Sequence, residues 1–237
     1  MKGGAVWLGE LSYVTARALQ EQLVNARQRD AIDDTVLILS HPPTITLGKR
    51  TTPADFPLGQ GALAQRGVQL VEVERGGGPT YHGPGQLVIY PVVSLDGRGV
   101  KQFVERGLQT LAVLASCFGV QAQGELDPAG LWVSGARSGH PAAPKRKLGA
   151  VGLKIERGVT NHGFSFNVNV ELEIYDLFRP CSLSGAAATS LAHELPGSCP
   201  ELKVVAQRAV ELFSVWPSGR DIGAGESAER KSTYPAG

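Results

Sequence analysis

The sequence predicts an α+β fold. Strand-like and helix-like segments follow one another along the 237 residues without the strict βαβ alternation of a doubly wound sheet. Three segments space their apolar residues as helices do, and several short ones are rich in β-branched residues. Thirty glycines with no collagen-like period call for many loops between these elements.

Residues 5–9 open the chain as a short strand. The next segment, SYVTARALQEQLVNARQR, sets Ala16, Leu19, Leu23 and Ala26 on one side with charges opposite, which predicts an amphipathic helix. TVLILS at 35–40 reads as a strand stopped by HPP. VQLVEVE at 68–74 and QLVIYPVV at 86–93 read as strands around a glycine-rich connection. VKQFVERGLQTLAVLASCFG aligns Val100, Val104, Leu111, Leu114 and Phe118 along one helical side, and Gly119 suits the stop. Short strands follow at LWV, KLGAVGLKIE and NHGFSFNVNV. A last helix is expected from SCPEL, where Ser198 and Glu201 have capping-box spacing around a first-turn proline. Segments 134–146 and 217–237 are small and polar, so a loose loop and a disordered tail are expected. No repeat or linker divides residues 1–216, which read as one domain.

Apolar residues make up 42% of the chain and charged ones 19%, with a formal net charge of +1. A balance so close to neutral argues against a nucleic-acid groove as the main partner. No run of about eighteen apolar residues is present, so no membrane-spanning helix is expected. The start, MKGGAVWLGELSY, lacks a long apolar region and a cleavage site, so no signal peptide is expected. Cys117, Cys181 and Cys199 are an odd set without zinc-type spacing. They point to a reducing cytoplasm and to no metal site.

The stretch ERGGGPTYHGPGQLVIYPVV, Glu74 to Val93, carries the strongest local signal. A hairpin needs only about two to five linking residues, so this connection does more than turn the chain. Glycines at 76, 77, 78, 83 and 85 let backbone come close to a ligand or to another loop. It is no phosphate loop, because no Gly-Lys-Ser/Thr follows and no G-x-G-x-x-G precedes a helix. Arg75, Thr80, His82 and Gln86 add polar groups to the same compact stretch. That favours a binding site over a loop that merely packs.

Three thiols compete for a nucleophile's role. Cys117 sits in an apolar helical run and reads as a small core residue. Cys199 lies at an expected helix start, where the dipole lowers a thiol pKa. Cys181 follows a proline and precedes a small-residue loop, a place for an accessible thiol or for an ordinary buried one. A thiolate at neutral pH needs a base or a cation nearby, and His41, His82, His162 and Lys147 are the candidates. If 147–154 is a strand, Lys147 shares a face with Val151 and Leu153, while Lys154 points the other way. A lysine at the end of a largely apolar strand is partly desolvated, which makes it usable as a base.

RGGGPTYHGPGQLVIYPVV closely resembles the signature of the octanoyltransferases of lipoate synthesis, also called lipoyl(octanoyl) transferases. HPPTITLGKR, GLWVSG, KLGAVGLKIERGVTNHGFSFNVN and PCSLSGAAATSL resemble that family's other blocks, in order, over residues 5–215. The resemblance implies a biotin/lipoate protein ligase-like fold with a mixed β-sheet and flanking helices. It implies that an octanoyl (or lipoyl) group passes from an acyl carrier protein thioester, with octanoyl-acyl carrier protein as the partner, to Cys181, activated by Lys147, and then to a lysine of a lipoyl domain. The implied acceptors are the lipoyl domains of 2-oxoacid dehydrogenase complexes and the glycine cleavage H protein. The acyl pocket it implies comprises Arg75, Gly76, Gly77, Gly78, Pro79, Thr80, Tyr81 and His82, with Ala150, Val151, Gly152, Gly163, Phe164 and Ser165. No nucleotide, metal or other cofactor is implied, and a monomer is expected. Ser182 stands where relatives carry glycine after the cysteine, and loop 134–146 is longer than usual.

Two other readings compete. An ATP-dependent lipoate or biotin ligase shares the fold but needs no nucleophilic cysteine, and usually carries an extra arginine where this chain has Glu74. A pure binding module would not need Lys147 and Cys181 together. Lys49, Arg50, Lys145 and Arg146 lie beside the family blocks, and as a set they suit a docking rim for acidic partners.

Overall fold

The computed structural model describes residues 3–135, 144–180 and 187–215. Its elements begin with β1 (Ala5–Glu10), α1 (Tyr13–Gln28), β2 (Thr35–Ser40), β3 (Thr44–Leu47), α2 (Gln60–Ala64) and β4 (Gln69–Glu72). There follow β5 (Thr80–His82), β6 (Gln86–Val92), α3 (Val100–Cys117), β7 (Gln123–Leu126) and β8 (Ala129–Val133). The chain continues through β9 (Arg146–Glu156), β10 (Val159–Asn167), β11 (Ala187–Ala188), α4 (Leu191–Glu194) and α5 (Leu202–Val215). The expected tail, part of the expected loop at 136–143, and residues 181–186 lie outside the described residues.

The main sheet runs β1-β2-β6-β10-β9-β8-β7, and β11 adds to β9. β1 with β2 and β11 with β9 pair in parallel, and the other neighbours are antiparallel. This is the mixed sheet of the expected α+β fold. A second sheet, β4-β3-β5, has its own hydrogen-bonded ladder. Periodicity predicts neither β3, which hides in TITL after two prolines, nor β5, which lies inside the glycine stretch. The strands expected around that stretch therefore belong to different sheets. The glycines carry the chain from one sheet to the other.

The helices form where the spacing predicts them, and in two of them the buried face also takes in residues that the spacing does not mark. α1 is capped by Ser12, whose Oγ accepts from the Thr15 N–H at 3.1 Å. Its buried stripe is Tyr13, Ala16, Gln20 and Val24; of the expected line Ala16 is buried and Leu19 and Leu23 pack at the edge of the same cluster. Gln20 is drawn inward because its Oε1 accepts from the His162 N–H at 3.0 Å. In α3, Val100 is exposed, while Phe103, Gly107, Leu111 and Leu114 face inward. Gly107 belongs on that face because the Phe164 ring occupies the space a Cβ would take. α5 begins at Leu202, since the Glu201 carbonyl accepts its first helical bond, from Val205 N at 3.2 Å. Ser198 thus precedes the helix instead of capping it.

One face of the main sheet packs against α3 and α5 around Ile38, Leu87, Leu111, Phe166 and Phe213. Each such side chain contributes about 1.5–3 kcal/mol on full burial, so this layer holds the sheet rigid. The other face carries α1 over Leu37, Leu39, Val88 and Tyr90. Beside α1 sits the small sheet, with a separate core of Ile45, Phe56, Tyr81 and Phe178.

Candidate active site

Arg75 organises the glycine stretch. Its guanidinium is buried, with Nη1 donating to the carbonyls of Gly76 at 2.9 Å and Gly78 at 3.0 Å. Nη2 donates to the carbonyl and the hydroxyl of Thr46, at 2.9 and 2.6 Å. The Gly77 carbonyl accepts from Arg50 N at 3.0 Å, and Gly77 takes φ +88, a conformation that favours glycine. Gly76, Gly77 and Gly78 are therefore occupied in fastening the stretch to the end of β3. The Arg75 stem lies along Gly152, where a Cβ would stand 3.2 Å from its Cδ.

Two clefts open side by side where the small sheet meets the main sheet. The first is bordered by Pro79, Thr80, Tyr81, Lys147, Gly149, Ala150, Ser165, Asn167, Tyr175, Pro180 and Ala188. The second is bordered by Tyr13, Arg75, Thr80, His82, Tyr90, Ala150, Val151, Gly152, His162, Gly163, Phe164 and Ser165. Thr80, Ala150 and Ser165 belong to both, so the clefts form one groove with Lys147 near one end.

Lys147 owes its position to a slip in register. Leu131 of β8 faces Gly149 of β9, but the next residue, Trp132, faces Lys147. The extra residue, Leu148, packs in the main core together with Val151, Leu153 and Ile155. Lys147 is turned to the cleft side with Ala150. The expectation that it shares a face with Val151 and Leu153 is thereby corrected: simple alternation fails across the bulge. Lys147 is 6% exposed, with β8 on one side and Ala188 of β11 on the other. Its Nζ lies 5.0 Å from the centre of the Trp132 ring, a cation–π distance. A Cβ on Gly130 would stand 3.2 Å from that Nζ, so glycine there makes room for the amine. Lys154 instead reaches Glu74 at 2.6 Å and also pairs with Glu156.

A chain of amides fixes His82. The Thr189 carbonyl accepts from Asn167 Nδ2 at 2.9 Å, and Asn167 Oδ1 accepts from Gln86 Nε2 at 2.9 Å. That leaves Gln86 Oε1 to accept from His82 Nδ1–H at 2.8 Å. Anchoring at a backbone carbonyl settles every amide in the chain, and hence the histidine tautomer. Burial pushes His82 down to about 3 and His162 down to about 4. Burial also lowers His41, whose Nε2 accepts from the Tyr90 hydroxyl at 2.9 Å. All three are neutral at pH 7. None is a ready proton acceptor for a thiol.

The other thiols fare differently from expectation. Cys117 is exposed, with its sulfur accepting from Arg208 Nε at 3.3 Å, so it is no core residue. Burial raises Cys199, which lies before α5 and donates to the Val168 carbonyl at 3.5 Å. The dipole effect expected there does not arise. Cys181 and Ser182 lie outside the described residues. Of the expected rim, Lys49 and Arg50 are exposed, Lys145 pairs with Glu125, and Arg146 is held against Glu194 at 2.7 Å.

Sequence reasoning missed Tyr13, Tyr90, Gly130, Trp132, Asn167 and Thr189. Tyr13 and Gly130 pass for an ordinary helix start and turn, and Trp132 and Asn167 for ordinary strand residues. Among the described residues, no group of three or more acidic, histidine or cysteine side chains is arranged to hold a metal ion. None of their helices is long and apolar enough to cross a membrane.

The family model for the lipoyl protein ligase A/B catalytic domain matches residues 12–214. An octanoyltransferase of Desulfotalea psychrophila is 41% identical, over 79% of this chain and 82% of its own. One of Chloroflexus aurantiacus is 40% identical, over 89% and 94%. Among solved structures, the bi-partite lipoate protein ligase of Thermoplasma acidophilum superposes with a TM-score of 0.67 at 15% identity, covering 90% of this chain and 83% of its own. A lipoate-protein ligase A bound with ATP gives 0.64 at 17%, covering 90% and 85%. At these identities the solved structures establish the fold alone.

Proposed function

The chain belongs to the lipoyl protein ligase A/B catalytic-domain family, and on that premise we propose that it transfers an octanoyl or lipoyl group from its acyl carrier protein thioester, octanoyl-acyl carrier protein above all, to a lipoyl-domain lysine, through Cys181. The relatives at about 40% identity are named octanoyltransferases, which favours transfer over ATP-dependent ligation. The acceptors are the lipoyl domains of 2-oxoacid dehydrogenase complexes and the glycine cleavage H protein. Residues 1–216 act as the catalytic unit, with 217–237 as a tail. The odd, unspaced thiols fit a cytoplasmic enzyme.

One juxtaposition carries the route. Pro180, the last described residue before 181–186, and Ala188, the second after it, both border the cleft that holds Lys147. Cys181 follows Pro180 directly in the sequence, which supports a reading in which its thiol acts with Lys147. Lys147 takes the thiol proton, and the Cys181 sulfur attacks the thioester carbonyl. A new C–S bond forms as the carrier's C–S bond breaks, and the carrier thiol leaves with a proton from Lys147. The amine of the acceptor lysine then attacks. A C–N bond forms, Cys181 departs as thiolate, and it regains a proton from the attacking amine. Backbone N–H groups of the glycine-rich segments stabilise the oxyanion in both steps. The steps draw on no nucleotide, metal or other cofactor.

The acyl chain lies along the groove past Thr80, Ala150 and Ser165 and into the second cleft. Each buried methylene contributes about 0.8 kcal/mol, which holds the acyl-enzyme between the two steps. Mixing the protein with octanoyl-acyl carrier protein without ATP, followed by intact mass measurement, tests the proposal. One octanoyl group is expected on Cys181, removable by hydroxylamine and absent from Cys181→Ser. A strict need for ATP would return the ligase reading.

A further inference from the structure

The end of the groove away from Lys147 is not a hydrocarbon wall. Tyr13 is 2% exposed, and His82 and His162 are each 8% exposed. All three border the second cleft. His82 commits Nδ1–H to Gln86, which leaves the Nε2 lone pair. Among the described residues, no protein group hydrogen-bonds that nitrogen, the Tyr13 hydroxyl or the His162 ring. Yet among those residues only Thr51 Oγ1 is an enclosed side-chain polar atom without a partner. The three groups therefore have open space beside them, and the cleft is that space. Buried polar groups take partners whenever the site admits one, so whatever fills this end should hydrogen-bond.

Charge narrows the class. Both histidines are neutral at pH 7, and the Tyr13 hydroxyl is protonated, with burial raising it to about 12. The Arg75 donors bond Gly76, Gly78 and Thr46 rather than pointing into the cleft as an anion clamp. The wall suits a small neutral group that both donates and accepts, as a hydroxyl does. It could donate to His82 Nε2 and accept from Tyr13.

Length agrees. Carbon–carbon bonds of about 1.5 Å make an extended eight-carbon acyl chain about 9 Å long. Strand residues rise about 3.3 Å each, so the same span along β9 leads from Lys147 to Ala150, where the second cleft begins. The far end of the chain is thus directed into the cleft that the three polar groups border.

We propose that Tyr13, His82 and His162 form a subsite for a neutral hydrogen-bonding group on the far end of the acyl chain. The enzyme then accepts an eight-carbon chain with a terminal hydroxyl alongside the plain one. The inference rests on the acyl-transfer reading.

The test compares kcat/KM for octanoyl and 8-hydroxyoctanoyl thioesters of the same carrier. A hydroxyl buried without partners costs about tenfold or more, whereas here the two chains should agree within about threefold. Tyr13→Phe should lower the hydroxyl-to-plain ratio by about fivefold, as expected for one lost hydrogen bond. His162→Asn should also lower it, and asparagine tolerates the φ of +58 at that position. Wild type rejecting the hydroxylated chain by tenfold or more would overturn the subsite while leaving octanoyl transfer standing. So would an unchanged ratio in both variants. If octanoyl itself is not transferred, the functional reading falls and the subsite falls with it.

Discussion

Arg146 grips Glu194 through two hydrogen bonds, Nε to Oε1 at 2.7 Å and Nη2 to Oε2 at 3.0 Å. The same Oε1 accepts from the Thr189 hydroxyl at 2.6 Å, and Thr189 N donates to the Lys147 carbonyl at 2.9 Å. A residue expected on a docking rim thus fastens the chain beyond residue 186 against the strand that carries Lys147. Glu194→Ala should lower unfolding free energy by about 2 kcal/mol, less than a fully buried pair because the Arg146 side chain is 19% exposed. It should also slow Cys181 acylation, while Glu194→Gln, which keeps an acceptor for Thr189, should do less on both counts. Urea unfolding and single-turnover acylation measure the two effects. No change in either would mean the clamp is idle.

Lys147→Ala should raise the apparent pKa of Cys181 alkylation, whereas Lys154→Ala should leave the profile in place, since Lys154 is committed to Glu74 and Glu156. Gly130→Ala offers a subtler probe. Its methyl would crowd the Lys147 amine, so acylation should slow by about tenfold, the scale of a small misplacement of a catalytic group. Alkylation profiles that match wild type in Lys147→Ala would rule out the lysine–thiol pair.

Acid should destabilise the fold through its buried histidines. Their folded values, about 3 for His82 and about 4 for His162, lie below the ordinary 6.5. On acidification the unfolded chain therefore binds protons first, and stability falls as pH drops from 6.5 towards those values. Each proton steepens that slope by about 1.4 kcal/mol per pH unit. Above pH 6.5 these groups contribute no slope. Urea unfolding at pH 7.5 and pH 5 should differ clearly in wild type and less in His162→Asn. Equal stability at both values would refute this account.

Lys49 and Arg50 remain exposed beside the glycine stretch. Reversing both to glutamate should raise KM for octanoyl-acyl carrier protein but not for a small octanoyl thioester. Added salt should weaken wild type in the same way, because exposed charges are screened over about 8 Å at physiological ionic strength. Equal losses on both substrates would place the damage in the site and end the rim hypothesis.

Much of this was legible in the sequence. The three helices, the strands at 35–40 and 86–93, and the glycine stretch as a place of close approach follow from periodicity and from glycine chemistry. The helix faces followed only in part, because Gln20 and Gly107 join them for partners far along the chain, His162 and Phe164. The orientation of Lys147 was hidden for a similar reason. A one-residue slip against Trp132 reverses a face, and nothing in KLGAVG marks it. Tyr13 and His162 approach each other only through the fold, so no local pattern announces the polar wall.

The groove follows a join that no backbone ladder crosses. Thr80 and Tyr81 belong to one hydrogen-bonded network and Ala150 and Ser165 to another, so no strand pairing ties the two lips, and the chain itself crosses between the sheets at residues 83–85. Prising them apart leaves every strand pair intact. A guest fixed to a whole protein can therefore be laid in lengthwise, like a cord pressed into a split reed, without being threaded through a hole. Exchange of the β5 and β9 amides should stay slow even while the lips part.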